Sequence, residues 1–388
     1  GPRRFLSYAT ALLSWAGAVC TGASVCVVAP SLLFSLGSLL NPGFQQDPWM
    51  GFVAYQVTNL VTLALSAFEH LLPRITKGIL AFTMCLLVAL FVGLFAASDE
   101  RRSAKDIFTD FYNVSGWSTG VAFLIGQNGL NWGFSCLDAI VHIAEEIPDP
   151  STNVPKALIL TIIVGFVTGL PIVLAFCVNQ TNYETQNSAM ATVYVAFGES
   201  KAAAIAFQIA IFISGVGAMW GIHVWQSRLA WSIGMNKGLP MHGHLSRVTG
   251  APFYLASERA FNSFTGAGLL FQYFSYVIPV IMLHYRGRSS FPHGDFWFPR
   301  FGFAANFVMC AWAVVALVFY CFPYSFPVAT AEMNYVSVVL CVFLFIILIS
   351  WFSYGRKHFT FPELEEIEGR ELHMTSHSDM PRPQHVKS

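Results

Sequence analysis

Charged side chains are scarce in this sequence. Lysine, arginine, aspartate and glutamate make up 11% of the 388 residues, whereas a soluble domain carries about 25%. Hydrophobic residues make up 55% and aromatic residues 15%. The 21 basic and 21 acidic residues cancel to a formal net charge of zero, so the chain has none of the basic excess that marks nucleic-acid binding. This composition indicates a polytopic membrane protein that is surrounded by lipid and has no nucleic-acid partner.

Motifs for catalysis, metal binding and secretion are also missing. The eight cysteines fall within apolar runs, no pair has metal-ligand spacing and none requires a disulfide, so they are interpreted as small core residues. There is no phosphate-binding loop and no nucleophile with a base, so we expect neither an enzyme nor a cofactor or metal. No signal peptide is recognisable, and the chain starts with Gly1 instead of Met, so we expect the natural amino terminus to lie further upstream.

Nine apolar runs are present, and each reaches the roughly 20 residues that a membrane span requires. The sequence therefore predicts an all-α transmembrane domain over residues 1–354. The remainder, 355–388, is polar and rich in glutamate, and is predicted to be a disordered cytosolic tail. The runs cover approximately residues 6–40, 51–71, 78–97, 119–147, 155–178, 201–233, 264–283, 303–322 and 334–354.

The fourth run is interrupted in its middle by small and polar residues. Asn128, Gly129, Asn131, Gly133 and Ser135 stand where an anchor helix would carry leucine and valine. Irregular backbone at membrane depth survives only where protein buries it or a water-filled cavity solvates it, and interrupted helices of this kind build the substrate sites of many secondary transporters. Two readings stay open, a transport site and a kinked helix that is packed by small residues.

Basic residues predict the orientation, because they favour the cytosolic side. Arg3 and Arg4 place the start of the chain inside, and the loop 41–50, which lacks basic residues, lies outside. Both N-x-Ser/Thr sequons, at Asn113 and Asn179, fall in loops that this count assigns to the outside. We therefore predict both asparagines as glycosylation sites.

The count of spans then conflicts with the basic residues. The seventh run has to end outside, yet Arg286 and Arg288 follow it, and Arg356 and Lys357 near the other end also favour the cytosol. Nine spans cannot place both ends of the chain inside, whereas ten can. Either one span is absent near residues 255–257, or the positive-inside rule is violated.

Several stretches together resemble the amino acid–polyamine–organocation (APC) permeases, and in particular their fungal amino-acid/choline branch with its choline and GABA permeases. FSCLDAIVHIAEEIPDPSTNVPKA resembles the sixth span of that family, SRLAWSIGMNKGLP the end of its eighth, and AFNSFTGAGLLFQYFSYVIPV its tenth. FPHGDFWFPRFG resembles the loop before the eleventh span, and RRFLSYATALLSWAG the entry to the third. Full members have twelve spans, so on this alignment spans one, two and nine are missing.

The resemblance implies an incomplete LeuT-like inverted-repeat fold, in which substrate binds between unwound first and sixth spans. Substrate-binding residues on this basis are Trp132, Gly133, Phe134, Ser135, Cys136, Ser214 and Gly215. Close helix packing explains the last two equally well, and packing is also the alternative for Trp132. Residues expected to act in coupling or gating are Asp138, Glu145, Glu146, Asn262, Gln272 and Tyr276. For Asp138, a structural hydrogen-bond role is equally compatible with the sequence. For Glu145 and Glu146, the alternative is contact with nearby helix ends at the membrane interface. His223 is interpreted as an interior histidine with satisfied hydrogen bonds.

These residues predict a secondary transporter that moves a small amino compound by alternating access with coupling to protons. An amino acid, choline, GABA or an alkaloid-like amine would fit, and the plasma membrane is favoured over the vacuole. The alternative is a truncated or sensor-like membrane protein that does not transport. Because the first span would supply half of the substrate site, we expect a chain without it not to transport.

Overall fold

A computed structural model describes residues 2–360 with the exception of 241–257, 289–295, 329–332 and positions 42, 67, 99 and 187. The described residues form a bundle of helices, and no strand occurs among them. The helices are α1 (Pro2–Leu40), α2 (Pro48–Ser66), α3 (Leu72–Ala97), α4 (Ala104–Thr109), α5 (Thr119–Trp132), α6 (Pro150–Asn179), α7 (Ala189–Ala196), α8 (Lys201–Met235), α9 (Glu258–Arg286), α10 (Pro299–Phe319), α11 (Val336–Ser350) and α12 (Arg356–His358). Short 3-10 segments cover Glu69–Leu71 and Leu137–Glu146, and a π-helical turn covers Trp351–Gly355.

Seven of the described helices are long and apolar enough to cross a membrane, namely α1, α3, α6, α8, α9, α10 and α11 with its continuation. The two other predicted spans are α2, with 19 residues, and the interrupted fourth run, whose regular helix α5 has only 14 residues. α3 and α6 expose apolar side chains over most of their length, as helices in contact with lipid do. The predicted all-α polytopic fold is therefore confirmed.

α1 is the central helix, because it packs along both α9 and α8. Small residues permit the close crossing with α9, where a Cβ atom on Gly17 would lie 2.9 Å from Gln272 Cγ and one on Gly268 would lie 3.2 Å from Thr21 Oγ1. Such close approach is how membrane helices gain packing energy, since lipid and helix surface are equally apolar. The largest buried cluster joins residues of α1, α9 and α11, among them Tyr8 and Phe271.

α8 and α9 run in the same direction through the bundle. At one end, here called the inner end, the backbone N–H of Thr360 donates to Asn236 O just after α8, and the Arg4 guanidinium donates to Phe359 O. The start of α9 lies at the opposite, outer end, where Ser263 Oγ accepts from the backbone N–H of Tyr335 before α11. The basic end of α9 therefore lies at the same end as the start of α1, as the positive-inside rule requires. The connection through 241–257 lies outside the described residues.

The folded part of the chain extends beyond the predicted domain boundary at residue 354. Gly355 approaches the Tyr8 ring, and Phe359 is buried against the same ring with centroids 5.2 Å apart. Residues 355–360 therefore pack on the bundle, and the remainder of the predicted tail lies outside the described residues.

Candidate functional site: an interrupted helix above an inner cavity

The fourth span is unwound where the sequence predicts it. α5 ends at Trp132, and the next residues form turns in which the N–H of Gly133 and of Phe134 each bond to the carbonyl three residues back. Cys136 then adopts a left-handed conformation with φ of 66°, and the 3-10 segment Leu137–Glu146 continues to the inner end. A 3-10 run of ten residues is uncommon, and such stretches mark functional hinges or local strain.

Trp132, at the last turn of α5, contacts α1. Its indole Nε1 donates to Ser24 Oγ over 3.1 Å, and its ring packs against the core between α1 and α9. Ser135 Oγ donates to Trp132 O, whereas the Phe134 ring turns away and lies over Gly165 of α6. The unwound stretch thus directs its residues to different helices, and Phe134 faces α6 while Trp132 faces α1.

Below the unwound stretch, a cavity of about 740 Å³ reaches to the inner end of the bundle. It lies between α1, the 3-10 segment, α8 and α9, and Arg3 and Arg286 stand at its mouth. Its polar lining consists largely of hydroxyl groups, from Ser7, Thr10 and Ser14 of α1, Ser232 of α8, and Ser275 and Tyr276 of α9. The size and the mixture of apolar wall with few polar groups are typical of small-molecule sites.

Asp138 lines this cavity next to the unwound turn. Its side chain is 12% exposed. His142 Nε2 lies 3.5 Å from Asp138 Oδ2 and 3.4 Å from Ser14 Oγ, and the Tyr276 hydroxyl faces the carboxyl from α9. Of the predicted residues, the structure brings Asp138 and Tyr276 together here. It adds His142 and Ser14, which the predicted site lacks.

Sequence signals for the added residues exist. His142 stands four positions after Asp138 within the fourth apolar run. On α1, polar residues recur at the spacing of one helix face, namely Arg3, Ser7, Thr10 and Ser14, all of which line the cavity. A polar stripe on an otherwise apolar membrane helix indicates the face that turns away from lipid.

Gln272 is buried between this cavity and Trp132. Its Nε2 donates to Thr21 Oγ1 over 3.0 Å. Thr21 lies seven residues beyond Ser14 on α1, and Ser24, the partner of Trp132, follows three residues later. The position of Gln272 agrees with its predicted gating role, which stays a prediction.

Other predicted site residues lie elsewhere. Ser214 bonds to Thr83 of α3 over 3.1 Å, and Gly215 has open space where a Cβ would point. Neither residue lines the cavity, to which α8 instead contributes Leu229, Ser232 and Ile233, together with Asn236 just after the helix. The side chains of Glu145, Glu146 and Asn262 lie outside the described residues.

His223 belongs to a buried network on α8 that does not reach the cavity. Its Nε2 lies 2.9 Å from Thr62 Oγ1 and its Nδ1 lies 3.3 Å from Gln226 Oε1. Gln226 Nε2 in turn donates to Ala18 O over 2.8 Å. Both ring nitrogens therefore have partners, and the prediction of a satisfied interior histidine is confirmed.

Polar and aromatic contacts join the helices near the outer end of the bundle. Asn128, buried in α5, donates to the Tyr324 hydroxyl over 2.8 Å, and Asn131 donates to the Tyr320 hydroxyl over 2.5 Å. Further out, the Trp117 indole donates to Pro323 O over 3.0 Å. The helix break therefore supplies asparagines that hold α5 to the segment after α10, a role that the sequence did not indicate.

The two sequon asparagines lie at this outer end. Asn113 is half-buried and donates to Trp117 O over 2.7 Å. Asn179 is 2% exposed in the last turn of α6, and its Nδ2 donates to Ala175 O over 2.8 Å. Attachment of a sugar to Asn179 would require that turn to open, because the acceptor nitrogen is buried and bonded. Glycosylation stays a prediction at both positions.

A bundle of membrane-spanning helices with an unwound span above a cavity that opens at one end is the architecture of a multi-pass membrane permease. The sequence profile of the amino acid permease family matches residues 2–349. The chain belongs to this family.

Named relatives of the chain are fungal transporters. It is 47% identical to the swainsonine transporter of Arthroderma benhamiae over 382 residues, which cover 93% of this chain and 76% of that protein. It is 46% identical to a transmembrane transporter of Metarhizium robertsii, with coverage of 93% and 77%. It is 30% identical to the choline transporter of Saccharomyces cerevisiae, with coverage of 97% and 71%. These relatives support membrane transport of small compounds.

Proposed function

We propose that the protein is a secondary transporter that moves a small cationic amine across the membrane by alternating access. The single observation that carries this proposal is Asp138, a largely buried carboxylate that faces the inner cavity, where its described neighbours are the Tyr276 hydroxyl and the His142 imidazole. A buried carboxylate without a cationic partner costs several kcal/mol. A ligand ammonium group that enters the cavity would supply that partner whenever the imidazole is neutral.

The contacts near the outer end and the cavity at the inner end support alternating access. Asn128 and Asn131 hold α5, which is the outer half of the fourth span, while the cavity reaches from Asp138 to Arg3 at the inner end. We interpret this arrangement as an inward-open state. The unwound turn at Gly133–Cys136 is then the hinge about which the two halves of the span would move relative to each other.

The names of the relatives agree with an amine as substrate, since one is called a swainsonine transporter and another a choline transporter. Trp132 does not line the cavity and lies beyond Gln272, so it would present its aromatic face to the amine only after that barrier opens. Cations bind such faces with about 0.5–2 kcal/mol. We propose that the amine is held between Asp138 and Trp132 during its passage, with protons as the coupling ion and the plasma membrane as the location.

Asp138→Asn tests this function, because it keeps the size of the side chain and removes its charge. We expect uptake of radiolabelled choline to fall at least tenfold while the amount of protein in the membrane stays within about twofold, since a buried carboxylate that binds a cation contributes several kcal/mol. The matched control is Asp110→Asn, because Asp110 is an exposed carboxylate paired with Arg102 at the outer end. A parallel loss of protein and uptake in Asp138→Asn would assign Asp138 a structural role.

A second candidate is a member of the family that binds an amine without transporting it. The parallel course of α8 and α9 favours this alternative, because consecutive spans of the twelve-span pattern alternate in direction. Saturable binding of choline to purified protein without flux into proteoliposomes would support it. Flux that Asp138→Asn removes would exclude it.

A further inference from the structure

The inner cavity contains a histidine that the proposed function does not use. His142 Nε2 lies 3.5 Å from Asp138 Oδ2 and 3.4 Å from Ser14 Oγ. The His142 side chain is 27% exposed and the Asp138 side chain 12%, so water in the cavity reaches the imidazole more easily. A separation of 3.5 Å is longer than a normal hydrogen bond but forms an ion pair when the imidazole carries a proton.

Two uncharged titratable groups lie beside the pair. Tyr276 faces Asp138 from α9, and Cys136 lies in the turn before it. Phenol and thiol side chains are ordinarily neutral at physiological pH. The cationic residues of the cavity, Arg3 and Arg286, stand at its mouth, at the far end from the unwound turn.

The helices α8 and α6 also pack against the 3-10 segment that carries Asp138 and His142. α8 presents the Trp225 indole, whose ring centroid is 6.4 Å from that of His142, and Arg228 follows three residues later. α6 carries the exposed Lys156 near its start and no further titratable side chain before Cys177. Among the described residues, His142 is therefore the basic side chain within ion-pair distance of Asp138. The side chains of Glu145 and Glu146 lie outside the described residues.

We infer that Asp138 and His142 form an exchange site at which a proton and a cationic amine exclude each other. This inference rests on the proposed function and adds the residues through which proton binding is coupled to amine binding. When the imidazole is protonated, Asp138 has its counter-ion, and an amine would bring a second positive charge against His142. When the imidazole is neutral, the carboxylate accepts the ammonium group instead.

The consequence is an exchange of one proton for one amine. An amine that binds from the inner side drives the proton from His142 to water in the cavity, and a proton that returns to His142 expels the amine. Binding reciprocity requires that each ligand weakens the other by the same factor. The two therefore cross the membrane in opposite directions, so that a proton gradient of either sign drives the amine the opposite way.

Choline is a suitable probe, because its quaternary ammonium group keeps its charge at every pH. Binding is measured to the full chain in lipid nanodiscs between pH 5.5 and 8. We expect the apparent Kd to rise as the pH falls, approaching about tenfold per pH unit, since each choline displaces one proton. His142→Gln keeps a polar side chain that does not titrate, and should bind choline with a much weaker dependence on pH than the unsubstituted chain.

Two controls make the measurement specific. His284→Gln should keep the slope of the unsubstituted chain, because His284 packs against Phe303 at the inner end of α9 and does not line the cavity. The second control measures proton release from the unsubstituted chain. In weakly buffered solution near neutral pH, choline should release up to about one proton per molecule bound.

The outcomes separate the exchange site from the proposed function. A choline affinity that is independent of pH in the unsubstituted chain, or binding without proton release, overturns the exchange site and leaves cationic-amine transport standing. A slope that persists undiminished in folded His142→Gln and His142→Asn also overturns it. Absence of choline binding at every pH, in protein that melts cooperatively, overturns the proposed function together with the exchange site.

Discussion

The side-chain amide of Gln272 donates a hydrogen bond to Thr21 Oγ1 over 3.0 Å, where α9 crosses α1. Thr21 itself donates to Gly17 O over 2.8 Å. Ser14, which lines the cavity, lies on one side of this contact along α1, and Ser24, which bonds to Trp132, lies on the other. Gln272 therefore stands between the inner cavity and the unwound stretch of the fourth span.

Gln272→Ala is expected to open this barrier from the inner side. Removal of the amide leaves a void next to the Thr21 hydroxyl and Gly17, and voids with polar walls admit water. In a background without native cysteines, Ser24→Cys should react several times faster with a thiol reagent added to inside-out vesicles when Gln272→Ala is present. Gln208→Ala is the matched control, because Gln208 is an equally buried glutamine that bonds to Ser35 near the outer end. Equal labelling in all three backgrounds would contradict a barrier at Gln272.

Gly17→Ala is expected to destabilise the crossing of α1 and α9. The added Cβ would lie 2.9 Å from Gln272 Cγ and 3.3 Å from Gly268 O, so the two helices must separate. Overpacking of this kind costs about 1–3 kcal/mol. The measurement is thermal unfolding of purified protein in detergent. Gly169→Ala on α6 provides the comparison, because no atom lies within 4 Å of its Cβ position, and its melting temperature should not fall. The same decrease in both variants would show that the crossing is not the cause.

Trp132→Ala is expected to weaken transport without preventing insertion. Loss of a cation–π contact of about 0.5–2 kcal/mol corresponds to a roughly 2- to 30-fold higher KM for a cationic amine. Trp132→Phe separates two roles, since it keeps an aromatic face and removes the bond from Nε1 to Ser24. We expect it to retain most of the uptake, measured with radiolabelled choline at matched surface abundance. An unchanged KM in Trp132→Ala would exclude Trp132 as a ligand.

The ends of α8 and α9 are expected to face the same side of the membrane. Lys237→Cys and Tyr285→Cys, introduced singly without native cysteines, should escape an impermeant thiol reagent in intact cells and react after permeabilisation. Val114→Cys should react in intact cells, because Val114 is 77% exposed in the loop beside Asn113 at the outer end. Opposite accessibility of the first two positions would mean that α9 runs antiparallel to α8.

The sequence by itself determined the class, the helices and the break. Every backbone group in lipid must be bonded within its own segment, so long apolar runs become helices whatever surrounds them. The polar residues from Asn128 to Ser135 interrupt such a run, and the unwound turn follows at Gly133–Cys136. The direction of α9 could also be predicted, because Arg286 and Arg288 follow the helix and basic residues favour the cytosolic side.

The tertiary structure alone decided which side chains meet. In a soluble helix the apolar face marks the core, but lipid and protein interior are both apolar, so a membrane helix does not record which neighbour each face packs against. For this reason Ser214 was expected at the substrate site and instead bonds to Thr83 of α3. Asp138 was expected near the break, whereas its proximity to His142, Ser14 and Tyr276 depends on how the 3-10 segment, α1 and α9 come together around the cavity.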